Sequence, residues 1–234
     1  SYLQAVVGSW AAELAGQTAS ALDVQARTRF NEANDSHYYL VPGVIVTIMT
    51  MIGALLTSLV MAREYERGTL ESLFVTPVGS GEILTAKAAT NFLLGMVSLA
   101  ISMVFAAFVF DIPIRGSLLL LLAVSALFLI VALGLGLVIS TATKNQFLAC
   151  QFAIMGTFMP ALMLSGFLYD ILNMPPAVRA VTYLIPARYY VTLLQTLFLA
   201  GDIPSVIIPC CITLGVFAVV LMSIARLKAP KSLE

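Results

Sequence analysis

No residue from Tyr38 to Ala62 carries a charge at neutral pH, and after Lys87 none does until Asp111. Each run is long enough for a helix to cross a bilayer, which takes about 20 apolar residues. Between them lies Arg63-Glu64-Tyr65-Glu66-Arg67-Gly68-Thr69-Leu70-Glu71, with five of the chain's 24 charged side chains (12 Lys and Arg, 12 Asp and Glu). A polar knot bounded by two membrane-length apolar runs has to lie in water at a membrane face. Charge this dense points to a soluble partner that reads it, more than to a loop whose charges only fix topology.

The overall composition agrees. The chain is 60% hydrophobic and 10% charged, with mean hydropathy +1.00, where a soluble domain carries about a quarter charged residues. The fold class expected is an all-α polytopic membrane protein with five visible transmembrane helices. Net charge is zero, so nucleic acid is not an expected partner. Cys150, Cys210 and Cys211 lie in or beside apolar runs without CxxC spacing, and read as small apolar residues rather than metal ligands. His37 has no second His or Cys near it and reads as an interfacial side chain.

Residues 1–39 are unlike the rest of the chain. Leu3, Val6, Val7, Trp10 and Leu14 recur at helical spacing, and Leu22, Val24, Ala26, Thr28 and Phe30 alternate with polar residues as in a half-buried strand. They read as the C-terminal part of a water-exposed α/β domain. The chain starts Ser-Tyr-Leu-Gln rather than with Met, so a fragment or a partly ordered product is expected, and Leu233-Glu234 reads as a cloning scar. The membrane domain, residues 40–232, begins with a span from Pro42 to Ala62, with Pro42 in the first turn. A short amphipathic surface helix comes next around Leu70, Leu73 and Phe74, ended by Pro77. Ser80 is expected to cap the second span, Glu82 to Phe110. Ser117 to about Ser140 is the third span. Its Gly134-Leu-Gly136 pair is either a close helix approach or a packing defect. Thr141 to Gln146 is expected to be a loop, and Phe147 to Leu164 the fourth span. Ser165 to Gly201 is broken by Pro, Asn, Asp and Arg and reads as two short helices dipping in from one face, covered by protein. Ile203 to Ala225 is the fifth span.

Charge bias gives an orientation. Arg63, Arg67, Lys87, Lys144, Arg226, Lys228 and Lys231 fall on one face, taken as cytoplasmic, and Arg27, Arg29, Arg115, Arg179 and Arg188 on the other. The N-terminal segment is then outside and the C-terminus inside, which an earlier span would explain. The span cores hold no Asp, Glu, Lys, Arg or His, the groups that ion-coupled transporters use. No Gly-x-Ser-x-Gly, His-Glu-x-x-His or Gly-x-x-x-x-Gly-Lys occurs, so the chain has no hydrolase motif and no nucleotide cradle of its own. Work done across the membrane would draw its energy from a partner.

Several motifs then occur in order: Leu40-Val41-Pro42-Gly43; Glu66-Arg67-Gly68-Thr69-Leu70-Glu71 with Val75-Thr76-Pro77; Gly134 to Thr141; Leu164-Ser165-Gly166-Phe167; Asn173-Met174-Pro175; and Tyr183 to Tyr189. In this order the chain resembles the permease subunit of ABC-2 type exporters, the bacterial multidrug class with a large periplasmic domain between its first two spans. The resemblance implies six spans, so a first span and most of that domain are expected beyond this sequence. It implies a location in the bacterial inner membrane, a like or unlike second permease subunit, and a separate ATPase subunit that binds ATP and Mg. This chain would bind no cofactor or metal and catalyse nothing. A periplasmic adaptor would be compatible with this assembly.

By the same resemblance, Glu66 to Val75 would be the coupling helix, and Arg63, Glu64, Glu66, Arg67, Gly68, Thr69, Glu71 and Phe74 the ATPase-coupling residues. Tyr65 stands where members often carry Lys. Ser165, Gly166, Phe167, Asn173, Pro186 and Arg188 would belong to an extracellular gate. Two subunits would enclose an apolar cleft between the visible first and fourth spans, with Thr47, Thr50, Met51, Phe152, Met155, Phe158 and Met159 as candidate liners. Helix packing is the competing and commoner role of such residues. The expected function is export of apolar or amphipathic cargo, driven through the coupling helix. The alternative is a membrane scaffold or assembly factor that uses the same knot to hold a soluble partner.

Overall fold

A computed structural model of the chain describes residues 37–68, 80–110, 112, 115–169 and 171–228. The expected N-terminal helix and strand, the surface helix bearing Thr69, Glu71 and Phe74, and Lys231 lie outside the described residues. Those described are helical, with no strand among them.

Five helices are long and apolar enough to cross a membrane: Leu40–Glu66, Thr85–Phe108, Leu118–Thr143, Gln146–Leu164 and Pro204–Leu227. They are called the first to fifth spans below. The third is apolar all round, as suits a helix with neighbours on most sides. It packs against each of the other four, and Leu121, Val124, Phe128, Leu129, Val131 and Leu133 form the middle of the core. Its two glycines settle the choice left by the sequence. A Cβ at Gly136 would lie 2.6 Å from the Ala54 carbonyl oxygen of the first span, and one at Gly134 would lie 3.0 Å from Leu221 Cβ of the fifth. Both are close approaches, one to each neighbour.

Several boundaries differ from expectation for local reasons. The helix of the first span begins at His37, so Pro42 lies inside it rather than in its first turn. Pro42 has no N–H for the Tyr38 carbonyl, a loss that packed helices tolerate in apolar surroundings. The second span belongs to a helix that runs Ser80–Phe108, with Ser80 its first residue rather than its cap. The third span continues through Thr143, in place of the expected loop. Thr141 and Thr143 donate their hydroxyls to the Val138 and Ile139 carbonyls, at 3.0 Å each. Back-bonding of this kind keeps a hydroxyl satisfied inside a helix. The turn is then made by Lys144, in the left-handed region at φ 49°, and by Asn145, whose Oδ1 accepts from Leu148 N at 3.1 Å and caps the fourth span.

Two spans widen mid-way into π-helical turns, the first at Met51–Leu56 and the fourth at Ile154–Phe158. The two widened turns pack against each other. Between the fourth and fifth spans lie the two expected short helices, Pro176–Thr182 and Pro186–Gln195, the second extended by a π turn over Thr196–Ala200. Protein covers only the second. Tyr190, Leu193, Leu194 and Leu197 are fully buried, and Tyr190 stacks on Phe128 at 4.1 Å while its hydroxyl bonds Ser125 Oγ at 2.8 Å. Most of the Pro176–Thr182 helix is exposed, a correction to the expected cover.

Candidate functional site

The polar knot is the end of the first span. Its helix stops at Glu66, and Gly68 takes φ 66°, a left-handed exit that glycine adopts without strain. Three knot side chains turn toward neighbouring spans. Glu64 forms an ion pair with Lys87 of the second span. Arg63 Nε donates to Gln146 Oε1 at 3.3 Å, and Gln146 N donates to Glu66 Oε2 at 3.0 Å, both at the root of the fourth span. Deeper in, Asn91 Nδ2 donates to Thr57 Oγ1 at 3.0 Å and Ser58 Oγ to the Ala149 carbonyl at 3.3 Å. The first span is thus pinned to the second by one contact from the knot and one buried bond, and to the fourth by two contacts from the knot and one buried bond. Arg67 is exposed and Gly68 half-buried. Gln146, Lys87 and Asn91 carry no motif of their own. Their spacing from the knot, 80 residues for Gln146, leaves no pattern from which to find them.

The candidate path residues separate into two groups. Met51, Phe152, Met155 and Met159 are exposed, Met51 and Met155 within the two widened turns. Phe158 is half-buried. Thr47 and Thr50 donate their hydroxyls to the Gly43 and Val46 carbonyls at 2.9 and 2.8 Å, each within its own helix. Thr50 is buried and lines a cavity of about 90 Å³ with Gly156, Thr157, Phe128, Ala132 and Pro186. Gly156 and Thr157 are absent from the residues that the sequence singles out, although a Gly-Thr pair shortly before Pro160 is a break in an apolar span.

The candidate gate residues also part company. Ser165 is buried, and its hydroxyl has no hydrogen-bond partner among the described residues. Gly166 sits at φ 90°. The Phe167 ring lies against Gly43, where any Cβ would overlap it, and so joins the hairpin to the first span. Asn173 is exposed and borders a groove of about 480 Å³ with Met163, Leu168, Tyr169 and Val178. Pro186 is buried at the start of its helix. Arg188 bonds Thr182 Oγ1 and lies 3.9 Å over the Tyr183 ring, a cation–π contact that ties the two short helices together. The fifth span's approach is fastened at the same end. Gly116 N donates to the Leu197 carbonyl at 2.8 Å, Arg115 Nη1 to the Leu199 carbonyl at 3.1 Å, and Ser117 N to Asp202 Oδ1 at 3.0 Å. Arg115 therefore lies beside the hairpin, and Arg63 and Lys87 with the knot, in keeping with the charge sorting. Among the described residues no group of His, Cys, Asp and Glu is placed to hold a metal, and the three cysteines are free.

The sequence from residue 9 to 199 matches the ABC-2 type transporter family. The chain is 46% identical over its whole length to the probable multidrug ABC transporter permease YbhS of Escherichia coli K12, covering 63% of that protein. It is 30% identical, over 85% of its length, to the probable multidrug ABC transporter permease YbhR of the same organism, covering 54% of it. It is also 27% identical, over 97% of its length, to the inner membrane transport permease YhhJ, again of Escherichia coli K12, covering 61% of it. The chain thus spans somewhat over half the length of these curated relatives. With apolar helices of membrane length and a match over most of its residues, this chain belongs to the ABC-2 type transporter family.

Proposed function

We propose that the chain is the membrane part of a permease subunit in an ATP-driven exporter of apolar or amphipathic cargo. The observation that carries this reading is the full-length likeness to a protein named a probable multidrug ABC transporter permease. The placement of charge supports it. Every Asp, Glu, Lys and Arg of the five spans stands within four residues of a span end. No ionisable side chain lies mid-membrane to couple an ion gradient.

In this reading a separate ATPase subunit binds ATP and Mg at the cytoplasmic face of the inner membrane. It docks on the segment that begins at Arg67 and Gly68 and includes Thr69, Glu71 and Phe74. A second permease subunit faces the exposed sides of the first and fourth spans, and cargo moves between the two. Ser165 to Gly201 forms a re-entrant outer closure, and an adaptor would meet the complex there. Nucleotide-driven closure of the ATPase pair draws the docked segments together and rocks the spans. Shifting such an equilibrium from 1:99 to 99:1 takes about 5.5 kcal/mol, within what two ATP molecules supply.

The test is reconstitution of the full-length permease with its ATPase subunit. Arg67→Ala and Glu71→Ala are expected to abolish ethidium-stimulated hydrolysis while the spans still insert. Full stimulation in both variants would overturn the docking assignment. Purification with a partner that lacks nucleotide-binding motifs would favour a scaffold instead.

A further inference from the structure

Gln146 is the first residue of the fourth span, and two side chains from the first span hold it. Arg63 and Glu66 stand three residues apart, on one face of the last helical turn before the Gly68 exit. One bonds the Gln146 side chain and the other its backbone N–H. The fourth span already has its own cap in Asn145, so the Glu66 carboxylate is a second acceptor at the same helix start, supplied from a distant part of the chain. An anion there meets the positive end of the helix dipole. Glu64, between the two, points to Lys87 of the second span instead.

We infer that Gln146 is a positioning residue for coupling, and that the Arg63–Gln146–Glu66 clasp passes movement of the knot to the fourth span. The inference rests on the export reading and narrows it. Arg63 and Glu66 act within the chain rather than on the ATPase, and docking falls to the residues from Arg67 onward. The physical reason is leverage. Any displacement of the segment after Gly68 turns the last helical turn of the first span. Both arms on that turn pull one residue at the root of the helix that bears Phe152, Met155 and Met159. The Ser58 bond to Ala149, one turn further on, keeps the two helices from sliding past each other.

One substitution separates the clasp from the helix it holds. Gln146→Pro removes both the N–H and the side-chain acceptor. Proline is favoured at the first helical position, and Asn145, at φ −133° and ψ 130°, already has the extended backbone that precedes proline. In the full-length complex, Gln146→Pro is expected to leave ATPase co-purification unchanged. It should lower ethidium-stimulated hydrolysis roughly tenfold, the size of a typical coupling between sites. Adding Glu66→Ala to it should change nothing further, the non-additivity of groups that act as one unit. The pair Gln146→Ala with Glu66→Ala cuts both arms without altering the backbone and is expected to show the same loss. It carries the test should the proline variant fail to fold.

Amide exchange of residues 146–149 in the permease is read in parallel, and Glu66→Ala should accelerate it. Unchanged exchange overturns the clasp. Faster exchange with full ethidium stimulation overturns its role in coupling. Loss of ATPase co-purification on adding Glu66→Ala to Gln146→Pro would return Glu66 to the docking surface. A native complex without ethidium-stimulated hydrolysis counts against the export reading, whereas the exchange result stands independently of it.

Discussion

Two exposed faces of this molecule are both largely apolar and chemically unlike. On the fourth span the exposed large apolar residues are Phe147, Leu148, Phe152, Met155, Met159 and Met163, with the polar Gln151 also exposed, and on the fifth they are Ile208, Ile212, Val216, Val219, Val220 and, at its end, Leu227. Both sets recur at helical spacing, and exposure does not tell them apart: Met155 is 65% exposed and Val216 59%. Side-chain stiffness does. Val and Ile hold one main rotamer on a helix, so they present a fixed surface to a uniform solvent such as lipid tails. Met has three rotatable bonds and a polarisable sulfur, and fits surfaces of varied shape. The fourth span also widens into a π turn around Met155. The contrast teaches that hydrophobicity alone does not identify a lipid face. Under the proposed function, the fifth-span face would meet lipid and the fourth-span face the second subunit and cargo.

Charge at the centre of each face gives the largest expected effect. A centrally placed Arg that meets lipid costs about 2.5–3.5 kcal/mol on insertion scales. Val216→Arg is expected to cut inserted, folded permease several-fold. Met155→Arg should insert better, yet abolish ethidium export. Equal insertion defects in the two variants, measured by membrane fractionation, would erase the contrast. A thiol at each position sharpens it further. Met155→Cys is expected to react with a water-soluble maleimide in intact complexes and to crosslink to the second permease subunit, and Val216→Cys to do neither. The smallest effect comes from apolar swaps. Met155→Leu with Met159→Leu should leave thermal stability within about 0.5 kcal/mol but alter the ethidium concentration for half-maximal stimulation a few-fold. Val216→Leu with Val219→Leu should alter neither, and a matching shift there would sink the assignment.

Much of this is legible in the sequence for reasons that act locally. The spans stand out because each is a run of apolar residues with charge at its ends. The Gly134-Leu-Gly136 pair is visible as a site where helices could close in, but not which ones. Only the fold shows that the two glycines face opposite neighbours. The Lys144 turn reads as a longer loop because Thr141 and Thr143 look polar in a sequence, whereas back-bonding lets the helix absorb them. The knot reads as a surface for a partner. Three of its side chains instead meet Lys87 and Gln146, which look ordinary where they stand in the chain.

By itself the sequence determined that this chain forms apolar helices of membrane length and where they turn. In hydrocarbon every backbone group has to be satisfied within its own helix, so each segment carries its constraint locally. The tertiary structure alone decided which span lies at the centre, which greasy face stays open, and which charges turn inward. Those outcomes depend on contacts such as Glu66 with Gln146, between residues far apart in the chain, and no local pattern of residue types encodes them.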